Sequence, residues 1–232
     1  MGMSPQPRIA VLGDRDPSLT THRELDATLA LLGADVDASW CATDGADAAR
    51  PEAFDGLWVA PGTPYRDGDA VLAAIGHARR SGTPLLGTCG GFQYTALALA
   101  RELAGVAAAH AETDPAAPEP FVAPLACALY GEERTVTCVP GTLLAAILGP
   151  APFAGFHFCG YGLAPGAAAV LEQAGVRIAA HAPHAGVEAF ELPGHPFFVA
   201  TLFQPQVGSL SGAALSPLIA AFVAAARAGA GH

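Results

Sequence analysis

The sequence predicts an α/β fold in which helices cover both faces of a central, mostly parallel sheet. Three observations carry this expectation. Short apolar runs alternate with amphipathic helical stretches, the early runs are apolar along most of their length, and short polar turns separate them. Arg8 to Gly13 reads as a buried strand ended by the turn Asp14-Arg15-Asp16-Pro17. Ser18 then reads as the N-cap of a helix through Leu32, which Gly33 stops, and Ala34 to Trp40 reads as the second strand.

Gly56 to Ala60 is the third strand and leads into the loop Pro61-Gly62-Thr63-Pro64. Asp67 or Asp69 opens the next helix, which ends near Arg80-Ser81-Gly82. Pro84 to Gly87 is the fourth strand, and a helix from Gly90 to Leu103 follows with almost no loop. Ala116 to Pro124 reads as a Pro-rich surface excursion, and Arg134 to Val139 alternates like a strand of a more antiparallel region. Phe153 to Phe158, Val176 to Ala182, Val187 to Leu192 and Phe197 to Phe203 complete the strands, and Leu215 to Ala228 is the closing helix. No repeat or linker divides the chain, so one domain over residues 1–232 is expected, with 1–7 and 229–232 as flexible ends.

Composition removes several classes of function. The chain of 232 residues contains no Lys and no Asn, which excludes a Lys Schiff base, a phosphate-loop lysine and an N-glycosylation site. A formal net charge of −10 argues against a nucleic-acid or anionic-membrane partner. No apolar run reaches the roughly 18–20 residues of a membrane helix, and the first residues lack the pattern of a secretory signal. Five Cys without CxxC spacing indicate neither a disulfide framework nor a zinc site. A cytoplasmic protein is expected, with no cofactor, no metal and a small-molecule substrate; a homo-oligomer stays open.

The chemistry concentrates at Gly87-Thr88-Cys89-Gly90-Gly91, between the fourth strand and its helix. A nucleophile on such a turn takes a strained backbone, and flanking glycines let strand and helix approach without a Cβ clash. The helix N-terminus favours a thiolate and sets the Gly90 N–H beside a reacting carbonyl oxygen.

The run Gly87 to Gln93 resembles the G-[IT]-C-x-G-[MF]-Q motif of class I glutamine amidotransferases. Trp58 to Gly62 resembles the strand and turn that supply the second oxyanion N–H there. Val187 to Glu191 and His195 to Val199 are similar to the glutaminase domain of CTP synthase, and the nearest group is the CTP synthase C-terminal region-related (seleno)proteins. The resemblance runs from Arg8 to Phe222 and implies a three-layer flavodoxin-like domain. It also implies Cys89 as nucleophile, Gly90 with Gly62 or Thr63 as oxyanion donors, and Gln93 at the substrate.

The pattern breaks where such glutaminases read F-H-P-E, because this chain reads Phe203-Gln204-Pro205-Gln206. Gln cannot take a proton from a thiol, so Gln204 is left with a place beside the substrate and no base role. The resemblance also puts Ala98 where a Glu holds the substrate amine. It puts Gly155 to Tyr161 where an Arg-rich stretch grips the α-carboxylate.

Replacement bases are His157, beside Cys159 and Tyr161, then His184 (with His181 on the same turn) and His22 on the loop after the first strand. The simpler reading of each is a surface or core His satisfied by a backbone carbonyl. His195 is expected to fix its own turn. Glu112 is placed to bind a substrate amine or water, while His110 to Asp114 lacks metal-ligand spacing. Cys159 is either part of the substrate wall or a resolving thiol for Cys89. The leading expectation is a Cys-dependent hydrolase or acyl-transfer enzyme for a small amide, nitrile or ester. Its rivals are an inactive binding protein and a Cys89–Cys159 redox protein.

Overall fold

The computed structural model describes residues 6–183 and 186–230. Nine strands form a sheet in the order β2-β1-β3-β4-β9-β8-β7-β5-β6. The first half is parallel: β1 (Arg8–Leu12), β2 (Asp37–Cys41), β3 (Gly56–Val59), β4 (Leu85–Thr88) and β9 (Phe198–Thr201). β3, β4 and β9 are buried at every residue, as strands covered on both faces must be. The second half is antiparallel and contains β8 (Gly186–Glu191), β7 (Arg177–Ala182), β5 (Val122–Cys138) and β6 (Phe153–Leu163).

Helices α2 (Gly68–Ser81), α3 (Gly90–Leu103) and α5 (Ala167–Gln173) form one outer layer, in which α3 touches both others. α4 (Leu143–Leu148) and α6 (Pro217–Gly229) pack on each other, and α6 lies against β3 and β4. Phe222 of α6 meets Trp58 of β3 edge-on at 6.3 Å, and both are fully enclosed. Each large side chain buried this way is worth about 1.5–3 kcal/mol. No helix among the described residues is long and apolar enough to cross a membrane.

Local chemistry accounts for most element ends. Asp67 caps α2 by accepting from the Ala70 N–H at 2.9 Å, and Gly82 ends it with φ 77°. Three expected starts are displaced. α1 (Thr20–Leu32) is preceded by Leu19 with no side-chain cap, and Ser18 lies one residue earlier with its N–H bound to Asp16 Oδ1 at 2.8 Å. The second strand begins at Asp37, after a short 3-10 turn over Gly33–Asp35. The surface excursion expected to Pro124 gives way at Val122 to β5, which ends at Cys138. β6 likewise runs past Phe158 to Leu163, because β5 and β6 pair along most of their length. α4 and α5 were not foreseen; α4 is capped by Thr142, which accepts from the Ala145 N–H at 3.1 Å.

Candidate active site

Cys89 occupies the single residue between β4 and α3. Among the described residues it is the one non-glycine with positive φ (φ 52°, ψ −104°). Such a conformation costs on the order of 1–3 kcal/mol and persists where neighbours over-determine it. The neighbours here are backbone. A Cβ at Gly91 would collide with the Val59 carbonyl oxygen, and one at Gly87 would lie 2.8 Å from the Gly91 carbonyl oxygen. The Cys89 N–H donates to the Thr201 carbonyl at 2.8 Å, which ties the elbow to β9.

The opposing loop is held as firmly. His22 of α1 is buried; its Nδ1 accepts from the Asp16 N–H at 2.9 Å, so the ring proton is on Nε2 and is donated to the Pro61 carbonyl at 2.8 Å. The Pro61–Gly62 peptide is trans, so its N–H points opposite to its C=O. With the carbonyl drawn toward His22, the Gly62 N–H is turned away from α1. A Cβ at Gly90 would come within 3.4 Å of the Gly62 nitrogen and 2.7 Å of Thr63 Cγ2, so the two loops meet with no spare room. Gly62 itself has φ 101°, and a Cβ there would be 2.8 Å from His22 Nε2.

Between elbow and loop opens a cleft of about 200 Å³. It has room for several waters or a small molecule. Cys89, Gly62, Thr63, Gln93, Glu112, Tyr130, Phe158, Cys159, Gly160 and Tyr161 are on its wall, together with Leu19 and Thr21 of the α1 approach. Gln93 braces two sides of it. Its Nε2 donates to the Tyr161 carbonyl at 2.9 Å, and its Oε1 accepts from His110 Nε2 at 3.0 Å. His110 Nδ1 in turn accepts from the Glu112 N–H at 3.1 Å. Burial pushes His110 down to about 4, so it stays neutral at pH 7. Glu112 Oε2 is enclosed and has no hydrogen-bond partner among the described residues.

The groups at the Cys89 sulfur are the Phe158 carbonyl, at 3.6 Å, and the Cys159 thiol. Its interaction with Cys89, then burial, then the charges of Cys89 and Glu188 push the Cys159 thiol far up, so it stays protonated. His157 lies two residues away on β6 and is fully enclosed, with Nε2 2.9 and 2.8 Å from the two oxygens of Glu188 on β8. Its Nδ1 has no partner among the described residues. Gln204 and Gln206 are both buried, and Gln206 Nε2 donates to Gln204 Oε1 at 2.8 Å.

The cleft therefore gathers Cys89, Gly62, Thr63, Gln93, Glu112, Cys159 and Tyr161, with Gly90 packed against Thr63. Three expected members stand elsewhere. His22 does not line the cleft, because both ring nitrogens serve the Asp16 and Pro61 backbone. His157 does not line it either, because Glu188 holds its ring in the interior. Gln204 opens onto a separate cavity beside Phe156 and Pro217. His184 lies outside the described residues. Ala98 is buried in α3 and does not reach the cleft, whereas Glu112 is on the cleft wall. His195 fixes its turn through Ala78 and Phe197. Sequence reasoning passed over Tyr130 and Glu188, and it read His110 only as part of a loop without metal-ligand spacing; the closeness of His110 to Glu112 in that loop was the one signal of its place beside the cleft. No group of three or more His, Cys, Asp or Glu side chains able to hold a metal occurs among the described residues.

Known proteins resemble this arrangement over most of the chain. CTP synthase of Methanopyrus kandleri is 30% identical over 96% of the chain, and that of Pyrobaculum aerophilum 33% identical over 70%. The chain spans 45% and 33% of the lengths of those relatives. The glutaminase domain of Trypanosoma brucei CTPS, solved with bound acivicin, superposes with a TM-score of 0.81 at 23% identity, covering 95% of this chain and 94% of that one. The family model for peptidase C26 matches residues 60–206, from the end of β3 through the elbow and the cleft walls to Gln206. With that match across most of the domain, the chain belongs to the peptidase C26 family, on the class I glutamine amidotransferase fold.

Proposed function

We propose that this protein is a Cys-dependent hydrolase or acyl-transfer enzyme acting on a small amide, nitrile or ester. Cys89 forms the bond to the electrophilic carbon, and the Gly90 and Gly62 N–H groups receive the oxygen or nitrogen that becomes negative. The observation that carries the reading is the strained Cys89 backbone at a strand–helix junction, facing a glycine loop across a small cleft. Strained backbone of this kind clusters at reactive and ligand-binding groups, and the closely packed Val59 and Gly91 backbone leaves the elbow little room to relax.

The relatives named CTP synthase point to glutamine as the amide, and two features argue against free glutamine here. No Arg stands on the described cleft wall to meet an α-carboxylate, and Gln204 and Gln206 are neutral amides that move no proton. His157 with Glu188 remains a His–carboxylate pair one layer behind Cys159, and any part it plays passes through that thiol. The test is acylation. Incubation with p-nitrophenyl acetate should release one equivalent of p-nitrophenolate in a burst and add one acetyl group to Cys89, and Cys89→Ala should do neither. Acetyl found elsewhere, or no burst, would end the proposal.

The Cys159 thiol at the Cys89 sulfur favours a second reading, a dithiol couple. A peroxide would oxidise Cys89 to the sulfenic acid with loss of water, and Cys159 would displace a second water to close the disulfide. Peptide mapping after one equivalent of hydrogen peroxide decides it. A Cys89–Cys159 linkage supports the couple, and overoxidised Cys89 with free Cys159 excludes it.

A further inference from the structure

The cleft wall offers little to a charged ligand. The chain has no Lys, and no Arg or His stands on that wall among the described residues, so an anion meets no counter-charge. The wall's one carboxylate, Glu112, repels anions, and its Oε2 is sealed from solvent and closed to a cation. Both ends of the Gln93 amide are spent on the Tyr161 carbonyl and His110, and the Cys159 thiol keeps its proton. A charge entering such a place loses its water without gaining a partner.

The mouth of the cleft is aromatic instead. Of the large apolar side chains exposed among the described residues, two are aromatic, Tyr130 at 60% and Phe158 at 47%, and both stand on this cleft. They are register partners on β5 and β6 and meet edge to face at 5.3 Å. Paired rings left in water beside a cleft present area that a third ring can cover. Gly160, on the same wall, leaves room for them. Its φ is not positive, so no turn demands glycine there, and a Cβ would lie 2.7 Å from the Tyr130 hydroxyl. Phe158 also accepts at its carbonyl from the Cys89 thiol, 3.6 Å away, so one residue joins the nucleophile to the ring pair.

We propose that the substrate is an uncharged aryl compound, an amide, ester or nitrile with its reactive carbon at Cys89 and its ring held by Tyr130 and Phe158. The position of the reactive carbon rests on the Cys89 reading; the ring subsite and the selection against charge do not. The cleft then discriminates by apolar area and by the absence of partners for charge, in the way of sites lined mainly by apolar and aromatic groups.

Isothermal titration of compounds on one skeleton tests this: 3-phenylpropionamide, 3-phenylpropionate, 3-phenylpropylamine and the ringless propionamide. Each is titrated into the Cys89→Ala protein, which cannot turn the amides over. The phenyl amide should bind at least about tenfold more tightly than the acid or the amine, which carry a charge into a cleft without partners. It should also exceed propionamide by about tenfold, the contribution of the ring. Tyr130→Ala and Phe158→Ala, each added to that protein, should weaken the phenyl amide about fivefold and leave propionamide unchanged. No measurable binding of the phenyl amide, equal or tighter binding of the acid or the amine, or full affinity in both ring variants would overturn the proposal. Acylation of the parent protein by p-nitrophenyl acetate separates the two readings. Acylation without ring-selective binding leaves Cys89 catalytic and removes this substrate class, whereas ring-selective binding without acylation keeps the subsite and removes the catalysis.

Discussion

The two walls of the cleft are built on opposite principles. The elbow wall, from β3, β4 and α3, is fixed by backbone packed on backbone, so that Gly87 and Gly91 touch carbonyl oxygens that cannot move aside. The β5–β6 wall is held by side chains on a bulged, half-exposed pair of strands. In the proposed reaction, the position that must not shift during bond formation is made of glycine and main chain, and the position that would select the ligand is made of exchangeable side chains. Reactivity and selectivity can therefore change separately in this fold.

The sharpest test of the contrast is a pair of identical substitutions. Gly91→Ala places a methyl against the Val59 carbonyl and should cost about 3 kcal/mol, at the upper part of the range for overpacking. Gly160→Ala on the other wall meets only the Tyr130 hydroxyl, at 2.7 Å, on an exposed ring that can swing away. It should stay within about 0.5 kcal/mol of the parent. Urea unfolding of both variants measures this, and equal losses would dissolve the distinction.

The elbow wall also depends on His22 for the orientation of one peptide. Without a donor at Pro61, that peptide is free to turn its carbonyl toward the cleft, and the proposed oxyanion site would lose the Gly62 N–H. His22→Phe should slow acylation of Cys89 by p-nitrophenyl acetate about 100-fold, the usual cost of one oxyanion donor. Alkylation by iodoacetamide builds no oxyanion and should keep its rate. His22→Gln, which retains an N–H donor, should recover much of the loss. If alkylation and acylation fall together, His22 serves folding alone.

The same division sets what the sequence could reveal. β3, β4, α2 and α3 follow closely from apolar runs, Asp67, Gly82 and the glycines around Cys89, because a strand buried on both faces and a backbone collision each leave an unambiguous residue. β5 and β6 did not show their length. Val122–Cys138 mixes exposed and buried residues with two register slips, which breaks the alternation that marks a strand. Cys89 was legible because strain demands glycine on both sides. The roles of His22, His157 and Gln204 were not, since a histidine bound to a carbonyl, one bound to Glu188 and an amide turned into another cavity look alike in sequence.

Besides the contact of Cys89 with the Phe158 carbonyl, a seam of hydrogen bonds joins the two walls, and acid should open it. Gln93 of α3 reaches β6 through the Tyr161 carbonyl and reaches the Glu112 loop through His110. Burial lowers His110 from 6.5 to about 4, so the unfolded chain takes up this proton first as pH falls. The stabilisation is complete above pH 6.5 and is lost progressively toward pH 4, reaching about 2 kcal/mol by pH 5. A proton on Nδ1 would also face the Glu112 N–H, donor against donor, and release the loop that carries the cleft carboxylate. Comparison of urea unfolding at pH 7 and pH 5 isolates the effect, because the surface carboxylates are common to both proteins. His110→Gln should show a pH dependence flatter by about 2 kcal/mol. Parallel profiles would mean that His110 ionises as freely in the folded protein as in the unfolded chain, and the two walls would then be joined by something other than this seam.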